Sequence, residues 1–208
     1  MAIGTYAELQ TAVKTWSKRT DLDSTIPDFI RLAEMRVNRN LRIRKMETRV
    51  TTNTVASQNY YGLPTNFLQM RSFKLNTTPL TDLTFLSPEQ MDERWAGNTS
   101  GKPRAYSVVG DEVRVGPKPD AVYEMEMLYW QAPAPLTDSA TTNFMLTANP
   151  DILLYASLIE LNSYSANDQA IMKYTELFNA AINAIQTEDD RDRASGSALT
   201  VRADQFVS

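Results

Sequence analysis

The densest charge in this 208-residue chain lies between Arg36 and Arg49, where Arg36, Arg39, Arg42, Arg44, Lys45 and Arg49 stand against Glu47 alone. That stretch carries +5, so with an overall charge of −4 the remainder carries −9. Guanidinium groups pair with carboxylates and phosphates through planar, two-pronged hydrogen bonds, which suits either a subunit contact or the backbone of a nucleic acid. A solvated helix face would explain the same run more blandly. Against that, Leu32, Met35 and Ile43 stand among the charges, and a helix with a second apolar strip more often packs on both sides. Arg36, Arg39, Arg42, Arg44, Lys45 and Arg49 are therefore read as a subunit interface or a DNA-facing surface.

Other constellations carry less. Glu124 and Glu126 share one face of an alternating segment and invite a two-carboxylate hydrolase, but alternation places both in solvent. Gly110 to Lys118 contains glycines and a lysine at spacing wrong for a phosphate loop, and there is no G-x-S-x-G elbow. The chain has no histidine and no cysteine. Histidine-dependent triads, zincins, haem ligation, thiolate nucleophiles and disulfides are thereby excluded. No catalytic residue, metal ligand or cofactor is expected.

With 42% hydrophobic and 22% charged residues, the composition is that of a soluble globular protein. A chain of this length buries roughly 70% of its unfolded surface and needs no covalent staples. No run of 18 apolar residues occurs, and MAIGTYAELQ lacks a basic region followed by an apolar one, so neither a membrane span nor a signal peptide is expected.

The elements that would position these residues follow from periodicity. Thr5 and Glu8 form a capping box ahead of Tyr6, Leu9, Val13 and Trp16 at helical spacing. Pro27 suits the first turn of a second helix, whose Ile26, Phe29, Ile30, Ala33, Val37 and Leu41 fall in one arc and which should end near Ile43. From Thr48 the pattern turns strand-like, with segments at Thr48–Val55, Tyr60–Pro64, Met70–Leu75 and Val122–Trp130, and a hairpin through Gly110-Asp111. Ser87-Pro88-Glu89-Gln90 signals a short helix to Trp95 among the strands. Asn149-Pro150-Asp151 should cap a third long helix, and a fourth should run from Gln169 to Gln186. No period holds across the tail from Thr187 to Ser208, which is expected to be disordered in the free chain despite its apolar Leu199, Val201, Phe206 and Val207.

These elements predict an α+β fold: a four-helix bundle body with a β-rich insertion between the second and third helices and an extended C-terminal tail. The expected boundaries are 1–45 and 136–187 for the two halves of the helical body, 46–135 for the insertion and 188–208 for the tail.

In this order the chain resembles the head-to-tail connector adaptors of tailed bacteriophages, the head-completion or tail tubular proteins that form a ring beneath the portal. The resemblance rests on Thr5-Tyr6-Ala7-Glu8-Leu9, Ile26-Pro27-Asp28-Phe29-Ile30 with Ala33-Glu34 and Arg39 to Arg42, and Leu63-Pro64-Thr65-Asn66-Phe67-Leu68. It continues in Pro103 to Tyr106 with the hairpin and Pro117 to Pro119, and in Asn149-Pro150-Asp151-Ile152-Leu153-Leu154-Tyr155. Their shared order is specific. The resemblance implies a non-enzymatic, dodecameric ring in the virion neck, made in the host cytoplasm, without a membrane partner. Its implied partners are the portal protein, neighbouring adaptor subunits, a downstream tail, stopper or nozzle protein, and the genomic DNA passing through. It also implies a C-terminal segment that reaches the portal, for which Leu199, Val201, Phe206 and Val207 are the candidates, folding when a groove is offered. The alternative is a nucleic-acid-binding module using residues 36–49.

Overall fold

The computed structural model describes residues 3–96 and 99–194. In chain order the α-helices are α1 (Tyr6–Ser17), α2 (Ile26–Asn40), α3 (Pro88–Arg94), α4 (Phe144–Ala148), α5 (Pro150–Tyr164) and α6 (Asp168–Ala194). The strands are β1 (Glu47–Asn53), β2 (Tyr60–Gly62), β3 (Phe67–Leu75), β4 (Thr81–Asp82), β5 (Thr84–Phe85), β6 (Ala105–Val109), β7 (Glu112–Gly116) and β8 (Glu124–Gln131). These residues form two compact units, one drawn from Met1–Arg44 and Ala134–Ser208, the other from Lys45–Pro133.

In the helical unit, α1 begins where Thr5 accepts from the Glu8 amide while the Glu8 carboxylate accepts from the amides of Gly4 and Thr5, at 2.7 and 3.0 Å. Those backbone bonds, led by that from Gly4, hold the Glu8 carboxyl below the ordinary carboxylate range. The α2 residues Ile26, Phe29, Ile30, Ala33 and Val37 are buried, as is Leu41 just beyond its end. Helix α5 differs from its neighbours: Ile152, Leu153, Leu154, Ala156, Leu158, Ile159 and Leu161 leave almost no polar face and are all buried. A helix apolar all round belongs at the centre of its unit. Accordingly α1, α2, α4 and α6 all pack on α5, and α1 also packs on α2.

The second unit is built from two four-stranded sheets, ordered β1-β8-β3-β4 and β2-β7-β6-β5. Pairing is antiparallel except for β5 with β6. Phe73, Leu75, Met125, Met127 and Tyr129 of the first sheet share a core with Tyr106, Val113 and Val115 of the second. Gly110 leads the hairpin between β6 and β7 at φ +60°, a conformation that costs a side-chain-bearing residue energy. The short helix α3 starts with a reciprocal capping box between Ser87 and Gln90 and buries Met91.

This architecture corrects the predicted four-helix bundle with a β-rich insertion. Among the described residues there are six α-helices and two sheets of four strands each. Five helices share one unit, with α5 as a hub rather than one of four equal bundle members, because its apolar surface runs all the way round. Periodicity finds helix faces, but it could not show which helix is enclosed by the others.

Two boundaries and one element also change. Helix α2 ends at Asn40 instead of near Ile43: Leu41 turns extended, with its amide still bonded to Val37 O, and Arg42 Nη1 donates to Asn38 O and Leu41 O at 2.5 and 2.7 Å. Helix α4, capped by the Asn143 side chain, was not anticipated, and Asn149 stands at the start of α5 without a side-chain cap bond because it also closes α4. Helix α6 continues to Ala194, so residues 187–194 are helical and not the start of an unstructured tail. Leu199, Val201, Phe206 and Val207 lie outside the described residues.

Candidate functional site

The basic segment divides between the units: Arg36, Arg39, Arg42 and Arg44 belong to the helical unit, Lys45 and Arg49 to the sheet unit. In the helical unit, Arg36 clasps Glu160 of α5 through Nε and Nη2 at 2.8 and 2.7 Å. Arg44 reaches the last turns of α6, its backbone amide and Nε meeting Asp189 at 3.1 Å and its Nη2 meeting Asp192 at 2.8 Å. Asp189 also accepts from Arg193 one turn later. Burial of Asp189 raises its carboxyl pKa, but the hydrogen bonds from Arg44 with the charges of Arg193 and Arg44 outweigh it, leaving the group below its ordinary value. Arg42 is taken up in capping the end of α2. Arg39 is exposed.

Helix α2 presents a second surface. Asp28, Leu32, Met35 and Arg39 recur at spacings of four, three and four residues and lie opposite its buried arc. Leu32 is 44% and Met35 51% exposed. Ile43, expected to join this outer strip, is buried instead, since the chain has already left the helix.

In the sheet unit Lys45 is exposed, while Arg49 bonds Glu126 Oε2 at 3.2 Å. Lys74 bonds Glu126 Oε1 at 2.8 Å, and Asn76 Nδ2 donates to Oε2 at 3.3 Å. The expectation of a solvated Glu126 is therefore corrected. Its strand β8 is central, so side chains of β1 and β3 close over the outward carboxylate, and the residue is buried. The Lys74 hydrogen bond, aided by Asn76 and the charges of Lys74 and Arg49, holds the carboxyl below its ordinary value against its desolvation. A carboxylate held ionised by two cations is a structural acceptor and a poor proton donor, and its partner in the hydrolase reading, Glu124, is exposed.

Two depressions flank α3. The larger, about 350 Å³, is lined by Leu86, Gln90, Glu93 and Arg94, and the smaller, about 30 Å³, by residues that include Asn59, Trp95, Arg114 and Lys118. Among the described residues no group of three or more Asp or Glu is placed to hold a metal ion, and no helix is long and apolar enough to cross a membrane.

The comparison that decides identity covers nearly the whole chain: the model of the SU10 adaptor protein family matches residues 4–202. The chain belongs to the SU10 adaptor protein family. It is thus a bacteriophage structural adaptor, a virion component whose partners are other head and tail proteins, as the ordered motifs of the sequence imply. Adaptors of this kind are typically not enzymes. No curated protein matches the adaptor.

For an adaptor, the informative geometry is which surfaces are already satisfied. Arg36, Arg44 and Arg49 each have a carboxylate within the chain, whereas Leu32 and Met35 have open surface. The carboxylate partners were missed from sequence. For Arg44 the acidic run Glu188-Asp189-Asp190 with Asp192 was the available signal, since its charge complements the basic segment.

Proposed function

We propose that this adaptor forms a dodecameric ring in the phage neck, between the portal vertex and the tail, and continues the passage through which genomic DNA leaves the capsid. The match to the family across residues 4–202 carries this reading. The Asp28, Leu32, Met35 and Arg39 face of α2 supplies a contact for the neighbouring subunit, with charged groups bordering an apolar centre. Arg36, Arg42, Arg44, Lys45 and Arg49 serve the same ring by bracing its subunits or by facing the DNA. The apolar tail residues Leu199, Val201, Phe206 and Val207 attach the ring to the portal, and a tail, stopper or nozzle protein binds its far side.

Native mass spectrometry and particle images of the chain mixed with its purified portal test this reading. A ring seated on the portal is the expected result; a chain that stays monomeric and ignores the portal overturns it. Leu32→Asp with Met35→Asp is expected to leave the circular dichroism spectrum and unfolding midpoint unchanged while preventing ring closure, because both side chains are already exposed. Removal of residues 199–208 is expected to abolish portal attachment without lowering the unfolding midpoint.

A further inference from the structure

Of the four sheet edges, three are strands of two or three residues, β2, β4 and β5, whereas β1 runs for seven. Within the described residues, β8 makes the only backbone pairing with residues 48–53. Every second residue of an edge strand turns its N–H and C=O outward, where another strand can take them up. Natural edges are blunted by proline, bulges or outward charge. Here the register with β8 is unbroken, Thr48, Val50, Thr51 and Thr52 are β-branched, and Arg49 bonds Glu126 on the neighbouring strand. Val50 lies half-buried at the margin of the core, so a further strand would complete its cover.

Residues 195–208 contain a segment of matching chemistry. Leu199 and Val201 alternate with Thr200 and Arg202, and Ser195-Gly196-Ser197 precede them. The family match runs through residue 202, so it includes this alternation and stops short of Phe206.

We propose that residues 198–203 of one adaptor add to the open edge of β1 in a neighbouring copy, forming a fifth strand with Leu199 and Val201 on the face that carries Val50. The inference rests on the ring reading, in which each copy offers one edge and one segment to its neighbours, the head-to-tail arrangement that closes a ring. It narrows the portal contact proposed above: Leu199 and Val201 enter the neighbour's sheet, and only Phe206 and Val207 beyond them are left for the portal.

The test uses the full chain with its own segment disabled by Leu199→Asp and Val201→Asp, titrated with a labelled peptide of residues 195–208. Saturable binding and slowing of β1 amide exchange by roughly tenfold or more are expected. Peptides N-methylated at Leu199 and Val201, or at Thr200 and Arg202, should differ, because only alternate amides of an added strand face the edge. No slowing at β1, or equal binding by both methylated peptides, overturns the strand. The chain has no cysteine of its own, so Thr51→Cys chains can be mixed with chains carrying one cysteine at residue 199, 200, 201 or 202, assembled on the portal and oxidised. Disulfide-linked pairs from at least one mixture support the neighbour as donor, since paired strands bring Cα atoms within disulfide range. Rings without linked pairs overturn that assignment. Peptide binding by a chain that forms no ring on the portal supports the strand addition, overturns the neighbour as its donor and sinks the ring reading.

Discussion

Gly116 approaches α3 so closely that a Cβ there would stand 2.7 Å from Trp95 Cε3 and 2.8 Å from Met91 Cε. Gly116→Ala must therefore push both side chains aside in a packed site, with an expected loss of about 1–3 kcal/mol in denaturant-unfolding stability. Glu126 illustrates a different limit of sequence reading. Its alternation with Met125 and Met127 was visible, but the pairing that brings Lys74 opposite Glu126, with Arg49 also in reach, required the order β1-β8-β3. Since its folded pKa is depressed, its contribution to stability is full above the ordinary glutamate value and is lost as pH falls through the folded value. Glu126→Gln should accordingly lower the thermal midpoint at pH 7 and narrow the difference from the parent chain as the pH drops below about 4. A difference independent of pH would count against ionisation as the source.

At the scale of elements, local chemistry set most helix starts. The capping boxes at Thr5 and Ser87 were legible because they use neighbours in sequence, and Thr5→Ala should cost about 1 kcal/mol, read from equilibrium unfolding. Helix ends were less legible. Residues 187–194 offer little apolar periodicity, yet they remain helical with Asp189 and Asp192 bonded to Arg44, a partner 145 and 148 residues away in sequence. Arg44→Ala is therefore expected to speed amide exchange in the last two turns of α6 severalfold while leaving its first three turns unchanged. Because the Asp189 pKa is lowered, the clasp is intact above the ordinary aspartate value, and acidification through the folded value should loosen the same turns.

At the scale of the whole molecule, the two units divide different tasks between them. The hub arrangement around α5 leaves the outer face of α2 available, and the sheet unit leaves the β1 edge available. An adaptor needs such unsatisfied surfaces, since its partners complete them, and the Leu32, Met35 and tail variants test that at the level of the proposed ring. By itself the sequence determined the absence of histidine and cysteine chemistry, the helix-strand-helix order of the chain, the capping boxes at Thr5 and Ser87 and the motif order that marks a phage adaptor. Those properties depend on residue type and near neighbours, or on order along the chain. Tertiary structure alone decided that α5 is enclosed, that Glu126 is buried among cations, that α6 outlasts its apolar stripe and that most of the basic segment is already satisfied. Each of these depends on groups far apart in sequence meeting across packed elements, where burial and pairing, not local periodicity, determine the free energy.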